Sequence, residues 1–137
     1  MRARILVVEN SKSDLFLIRE ALETAQIDAE VHVVQDGHAA MLFIDEAEQD
    51  SAAPRLDLVL LDLNLPKKSG SEVLQHLRKS GRLHDAPVLV VSTAEMVKER
   101  SALTELAISG YFRKPSEYTE FMKLGMMVKG VLQRGCV

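Results

Sequence analysis

Two polar residues close the first apolar run of the chain, in "ILVVENSKSD", where Glu9 and Asn10 follow directly on residues 5–8. A carboxylate and an amide at the end of a buried run are costly to place there unless something nearby uses them. Other apolar runs end in similar groups: residues 56–61 lead into Asp62 and then Asn64, residues 88–91 into Ser92 and Thr93, and residues 110–112 into Arg113, Lys114 and Pro115. If these ends meet, one rim carries two carboxylates, an amide, hydroxyls and an ammonium. Oxygen ligands of this kind suit a hard cation such as Mg2+, which takes one or two carboxylates and completes its shell with water and phosphate oxygens. A lysine and a hydroxyl suit the other phosphate oxygens. The set reads as a site for a phosphoryl group on Asp62: a carboxylate nucleophile, a metal on one side, and an ammonium and a hydroxyl on the other.

The elements that must bring these ends together are legible in the spacing of apolar residues. Residues 5–8, 31–34, 56–61, 88–91 and 110–112 are short runs rich in Val, Ile and Leu, mostly unbroken, with His32 and Asp57 as interruptions. Such runs suit strands covered on both faces, as in a parallel sheet. Amphipathic stretches lie between them. Leu15, Ile18, Leu22 and Ala25 share one helical face, and Ser11 with Asp14 resembles a capping box at its start. Ala40, Phe43, Ile44 and Ala47 form a second face, and Val73, Leu74 and Leu77 a third. A fourth, less regular helix spans roughly residues 95–107. A fifth starts near Ser116 and places Tyr118, Phe121, Gly125, Val128 and Leu132 on one side. Gly125 and Gly130 each weaken that helix by about 1 kcal/mol relative to Ala, so it needs tight packing to persist.

The order is strand then helix, five times over. Right-handed crossovers then favour an α/β fold with a doubly wound five-stranded parallel sheet of order 2-1-3-4-5. Ligands in such sheets bind beyond the carboxyl ends of the strands, where the strand order reverses, here between strands 1 and 3. Glu9, Asn10 and Asp62 flank that point. Each group taken singly has an ordinary explanation as a cap or a turn residue. What argues for chemistry is that four of the five strands end in groups that one site could use.

The totals restrict the rest. With 137 residues, 47% hydrophobic and 27% charged, the chain is expected to be a single domain over 1–137 with no output domain. A net charge of -3 offers no pull toward nucleic acid. The lone Cys136 forms no internal disulfide, which fits a reducing cytoplasmic setting. No apolar run is long enough for a membrane span or a signal peptide. His32, His38, His76 and His84 lack ligand spacing, and Met122, Met126 and Met127 are expected to pack.

With these residues in view, the chain from residue 4 to about 132 resembles the receiver domain of two-component response regulators, a flavodoxin-like (βα)5 fold. "DLVLLDLNLPKKSG" is similar to the segment around the phosphoaccepting aspartate, "PVLVVSTAE" to the fourth strand with its switch hydroxyl, and "GYFRKP" to the fifth strand. The resemblance implies that Asp62 takes a phosphoryl group from the histidine of a sensor kinase or a phosphotransfer protein. It implies Mg2+ held by Glu9, Asn10, Asp62 and the backbone carbonyl of Asn64. It also implies a switch through Ser92, with Thr93 beside it, and Tyr111; phosphate binding by Lys114; and a cis peptide before Pro115. "LNLPKKSG" and the length resemble stand-alone receivers that partner bacterial phytochromes. Phosphorylation would draw Ser92 toward the phosphate, let Tyr111 rotate inward and reshape the face of the fourth helix, fifth strand and fifth helix. That face signals to a downstream protein, and it is where the family dimerises, so a homodimer using Tyr111, Phe112, Tyr118 and Phe121 is expected.

Asn10 departs from the family pattern, which has a second acid at the end of strand 1. An amide brings no charge, so metal affinity should fall. An alternative follows from it: an interaction module of the same fold that is no longer phosphorylated. An aspartyl-phosphate hydrolase would place a second acid where Asn64 stands. A flavodoxin-like redox protein would not carry acid at the mouth of a phosphate loop.

Overall fold

The apolar runs become strands and the amphipathic stretches helices in the computed structural model, which describes residues 2–50, 52, 55–93 and 107–134. The chain order is β1 (Ala3–Val8), α1 (Lys12–Thr24), β2 (Ala29–Val34), α2 (Gly37–Gln49), β3 (Leu58–Leu61), α3 (Gly70–Arg78), β4 (Val88–Ser92), β5 (Gly110–Arg113), α4 (Tyr118–Phe121) and α5 (Leu124–Arg134). All four strand pairings are parallel, and the sheet runs β2-β1-β3-β4-β5. The expected fourth helix over 95–107 falls almost wholly outside the described residues.

Alternation along the strands builds two cores, because successive side chains leave opposite faces of a sheet. Leu6, Val8, Val59, Leu61, Val88 and Val90 pack with Ala40 and Ile44 of α2 and Val73, Leu74 and Leu77 of α3. Ile5, Val7, Leu58, Leu60, Leu89 and Val91 pack on the other side with Ile18, Ala21 and Leu22 of α1 and Leu124, Val128 and Val131 of α5. β3 and β4 are buried throughout. The edges are more open: none of the residues of β2 is fully buried, and in β5 only Phe112 is.

Register decides where the polar strand ends lie. Val8 stands opposite Leu61, and Leu61 opposite Val90. Glu9 and Asp62 therefore emerge side by side, and the Asp62 N–H donates to the Val8 carbonyl at 3.1 Å. Ser92 stands opposite Arg113, and the Lys114 N–H donates to the Ser92 carbonyl at 3.0 Å.

The last helix is not continuous as expected. It divides at Met122 and Lys123 into α4 and α5, where the Lys123 and Gly125 N–H groups bond three residues back, to Glu120 and Met122, in the tighter winding. The break turns Tyr118 outward, 49% exposed, while Phe121 stays in the core against Phe112 with ring centroids 5.7 Å apart. The peptide before Pro115 is trans, since no peptide bond among the described residues is cis. Trans is the intrinsically favoured isomer by about 0.5–1 kcal/mol, and with it the Lys114 ammonium already reaches its carboxylates, as set out below.

The two helix-weakening glycines have opposite environments. A Cβ on Gly125 would lie 2.5 Å from the Ala21 carbonyl oxygen and 2.7 Å from the Ala25 Cβ, so α1 and α5 meet there backbone to backbone. A Cβ on Gly130 would meet nothing within 4 Å. Gly125→Ala is expected to destabilise by about 1–3 kcal/mol through overpacking, and Gly130→Ala to stabilise by about 0.5–1 kcal/mol. Chemical denaturation of both variants checks the contrast; a stabilised Gly125→Ala would contradict this packing.

Candidate functional site

The Asp62 carboxylate is 6% exposed at the end of β3, and every contact that the structure gives it comes from a neighbouring strand end or from its own turn. Its Oδ1 accepts from the Ser92 hydroxyl at 2.9 Å and from the Asn64 N–H at 3.0 Å. Its Oδ2 accepts from Lys114 Nζ at 3.0 Å. Ser92 is fully buried, and a buried hydroxyl needs a partner, so it is already turned onto Asp62. The Ser92 hydroxyl thus faces the Asp62 carboxylate directly. Gly70 lets the loop after β3 lie close: a Cβ there would stand 2.5 Å from the Asp62 carbonyl oxygen.

Lys114 is the hub of the site. Its side chain is only 5% exposed, and its ammonium lies 2.7 Å from Glu9 Oε1, 2.8 Å from Asp14 Oδ2 and 3.0 Å from Asp62 Oδ2. One ammonium thus lies against three carboxylates. Burial disfavours the charge, but the hydrogen bonds to Asp14, Glu9 and Asp62 outweigh it and hold the ammonium well above the ordinary lysine range. Glu9 is 1% exposed. Burial pushes its carboxyl up to about 7, against the pull of Lys114 and of the Ser11 N–H; the nearby Asp62 carboxylate adds to the rise. Its Oε2 accepts from that N–H at 3.1 Å, and its Oε1 has no described partner but Lys114.

Asp14 is the member that sequence reasoning missed. The spacing of Ser11 and Asp14 suggests a capping box, but only half of that motif forms. Ser11 Oγ accepts from the Asp14 N–H at 3.3 Å, while the Asp14 carboxylate turns to Lys114 and the Ser11 N–H goes to Glu9. The complete capping box is at α3, between Ser69 and Glu72. The available signal was position: an acid in the first turn of a helix that leaves β1 at the rim.

The remaining expected residues lie around this centre. Asn10, Asn64 and Thr93 are exposed at the mouth. Tyr111 is half-buried against the core on the α2 and α3 side of the sheet. The donor set fits a hard divalent cation. Glu9 and Asp62 are adjacent buried carboxylates, and Mg2+ characteristically uses one or two such groups and keeps water.

A family model, "Response regulator receiver domain", matches residues 5–124. The chain is 39% identical over 127 residues to response regulator Rcp1 of Synechocystis sp. (strain ATCC 27184 / PCC 6803 / Kazusa), covering 93% of this chain and 84% of that protein. The crystal structure of the Mn(2+)-bound form of Rcp1 matches with a TM-score of 0.81 at 37% identity, covering 93% of this chain and 92% of that one. The phosphorylated cyanobacterial phytochrome response regulator RcpA matches with a TM-score of 0.86 at 31% identity, over 100% of this chain and 98% of that one. The bacteriophytochrome response regulator RtBRR matches at 0.77 and 33% identity, over 96% and 78%.

The raised Glu9 carboxyl makes stability pH-dependent. Its folded value of about 7 lies above the ordinary 4.5, so the folded state keeps this proton longer than the unfolded chain does. Its contribution is full below about 4.5 and lost as pH rises through about 7. In metal-free buffer, wild type should therefore lose melting temperature relative to Glu9→Gln between pH 5 and 8, by a few degrees. A difference that stays flat across that range would contradict the assignment.

Proposed function

This chain belongs to the response regulator receiver domain family of two-component signalling proteins, and we propose that it accepts a phosphoryl group on Asp62 from the phosphohistidine of a partner protein. The observation that carries the reading is the Asp62 carboxylate itself, buried between the Ser92 hydroxyl, the Asn64 N–H and the Lys114 ammonium. In the transfer an Asp62 oxygen attacks phosphorus, the P–N bond breaks, the imidazole leaves with its electron pair, and an O–P bond forms. Lys114 and Ser92 are the donors for the charge that builds on the phosphoryl oxygens. Mg2+, held by Glu9, Asp62 and the Asn64 carbonyl with the Asn10 amide beside it, would supply the further positive charge that phosphoryl transfer needs.

The donor is a sensor histidine kinase or a phosphotransfer protein. A bacterial phytochrome kinase is the favoured partner, because the similar proteins RcpA and RtBRR are a phytochrome and a bacteriophytochrome response regulator. The output is a changed docking face for a downstream protein. Ser92 exchanges its acceptor from the carboxylate to a phosphoryl oxygen, and Tyr111, which stands opposite Val90 two residues before Ser92, repacks. The face formed by β5 and the last helices is the proposed homodimer surface; the fourth helix expected beside it falls almost wholly outside the described residues. Phe112 and Phe121 are core residues and are not available to it; Tyr118, Met126 and Met127 are exposed there. Light scattering should report a dimer in wild type and a monomer for Tyr118→Glu with Met126→Glu. A wild type that stays monomeric with and without phosphodonor would contradict the dimer.

Asn10 favours one second reading, an interaction module that is not phosphorylated. A small-molecule phosphodonor with Mg2+, followed by mass spectrometry, separates the two. The expected result is one phosphoryl group on Asp62, absent from Asp62→Asn and slowed about 10²-fold in Lys114→Met. Asn10→Asp should accelerate the reaction and lower the Mg2+ concentration it needs. No mass gain on Asp62 under any condition would establish the second reading.

A further inference from the structure

We propose that Asp14 is a positioning residue: from the first turn of α1 it holds the Lys114 ammonium in place when a divalent cation draws Glu9 away. The inference rests on the reading of Asp62, Glu9 and Lys114 given above and adds a residue to it. Lys114 meets three acids at once, Glu9 at 2.7 Å, Asp14 at 2.8 Å and Asp62 at 3.0 Å. Two of the three have competing duties. Glu9 Oε2 is held by the Ser11 N–H, so Oε1 must serve either the ammonium or a cation. Asp62 is the proposed phosphoacceptor. Asp14 alone has neither duty, and its side chain is the most exposed of the three carboxylates, at 27%.

The local fold fixes Asp14 for this purpose. Ser11 caps α1 by accepting from the Asp14 N–H at 3.3 Å, and the Leu15 N–H donates to the Ser11 carbonyl at 2.9 Å. The cap uses the backbone of Asp14 and leaves its carboxylate for Lys114, 100 residues away in sequence. With Asn10 at the end of β1, the third acid of this rim comes from α1. Without Asp14 the ammonium would fall back on Glu9 and Asp62, the two carboxylates a cation requires, and would compete with it.

Mg2+ titration of the folded protein, followed by calorimetry or backbone amide shifts, tests this in a double-mutant design. Asp14→Asn is expected to weaken Mg2+ binding about tenfold, within the range for outer partners of a metal site, and Asp14→Glu to restore it. In a Lys114→Met background Asp14→Asn should have no effect, because there is no ammonium to hold. Equal weakening in both backgrounds would overturn the inference, since Asp14 would then act through its own charge; no weakening in wild type would overturn it as well. Absence of Mg2+ binding by folded wild type would defeat the reading of the Asp62 site and this inference with it. Melting curves in chelator confirm folding, and Asp14→Ser repeats the test if the Asn variant melts early.

Discussion

One buried ammonium shared by three carboxylates organises the end of this sheet. Lys114 joins β5 to β1, β3 and α1 through Asp62, Glu9 and Asp14, so the ends of three strands and the start of a helix meet on a single cation. Such clusters are poor investments in stability. Removing four ionisable groups from water costs several kcal/mol for each, and an apolar replacement is often at least as stable. Their retention in a buried position argues for chemistry. Three acids around one cation also leave an excess of negative charge, which a divalent ion would relieve.

The rest of the fold serves to hold these groups at fixed spacing. The parallel register sets Glu9 beside Asp62 and Ser92 beside the backbone of Lys114. The two cores, one on each face, keep the strands from sliding, because a shift of one residue would move every apolar side chain to the wrong layer. At its far end α1 is held against α5 by the close approach at Gly125, and at its near end by Ser11, which places Asp14 over Lys114. A helix–helix contact on one side of the sheet thus bears on an ion pair at its tip.

Much of this was legible in the sequence, for identifiable reasons. Short continuous Val, Ile and Leu runs bounded by turn residues suit buried strands, and polar residues directly after them mark the rim; that logic found Glu9, Asp62, Ser92 and Lys114. Asp14 was hidden because an acid three residues after a serine reads as a cap, and which way its carboxylate turns is decided by a lysine 100 residues distant. The break at Met122 and Lys123 depends on tertiary neighbours that a periodic pattern does not encode. Phe112 and Phe121 were misplaced at a surface for a similar reason: their aromatic contact forms only once α4 folds against β5.

The most direct test of the account is a crystal structure with Mg2+ and beryllium fluoride, which mimics an aspartyl phosphate. The account predicts electron density bonded to Asp62, with Ser92 and Lys114 on its fluorines, Glu9 turned toward the metal, and Asp14 still on Lys114. An adduct-free Asp62, or a Lys114 that remains paired with Glu9 and ignores the adduct, would contradict it.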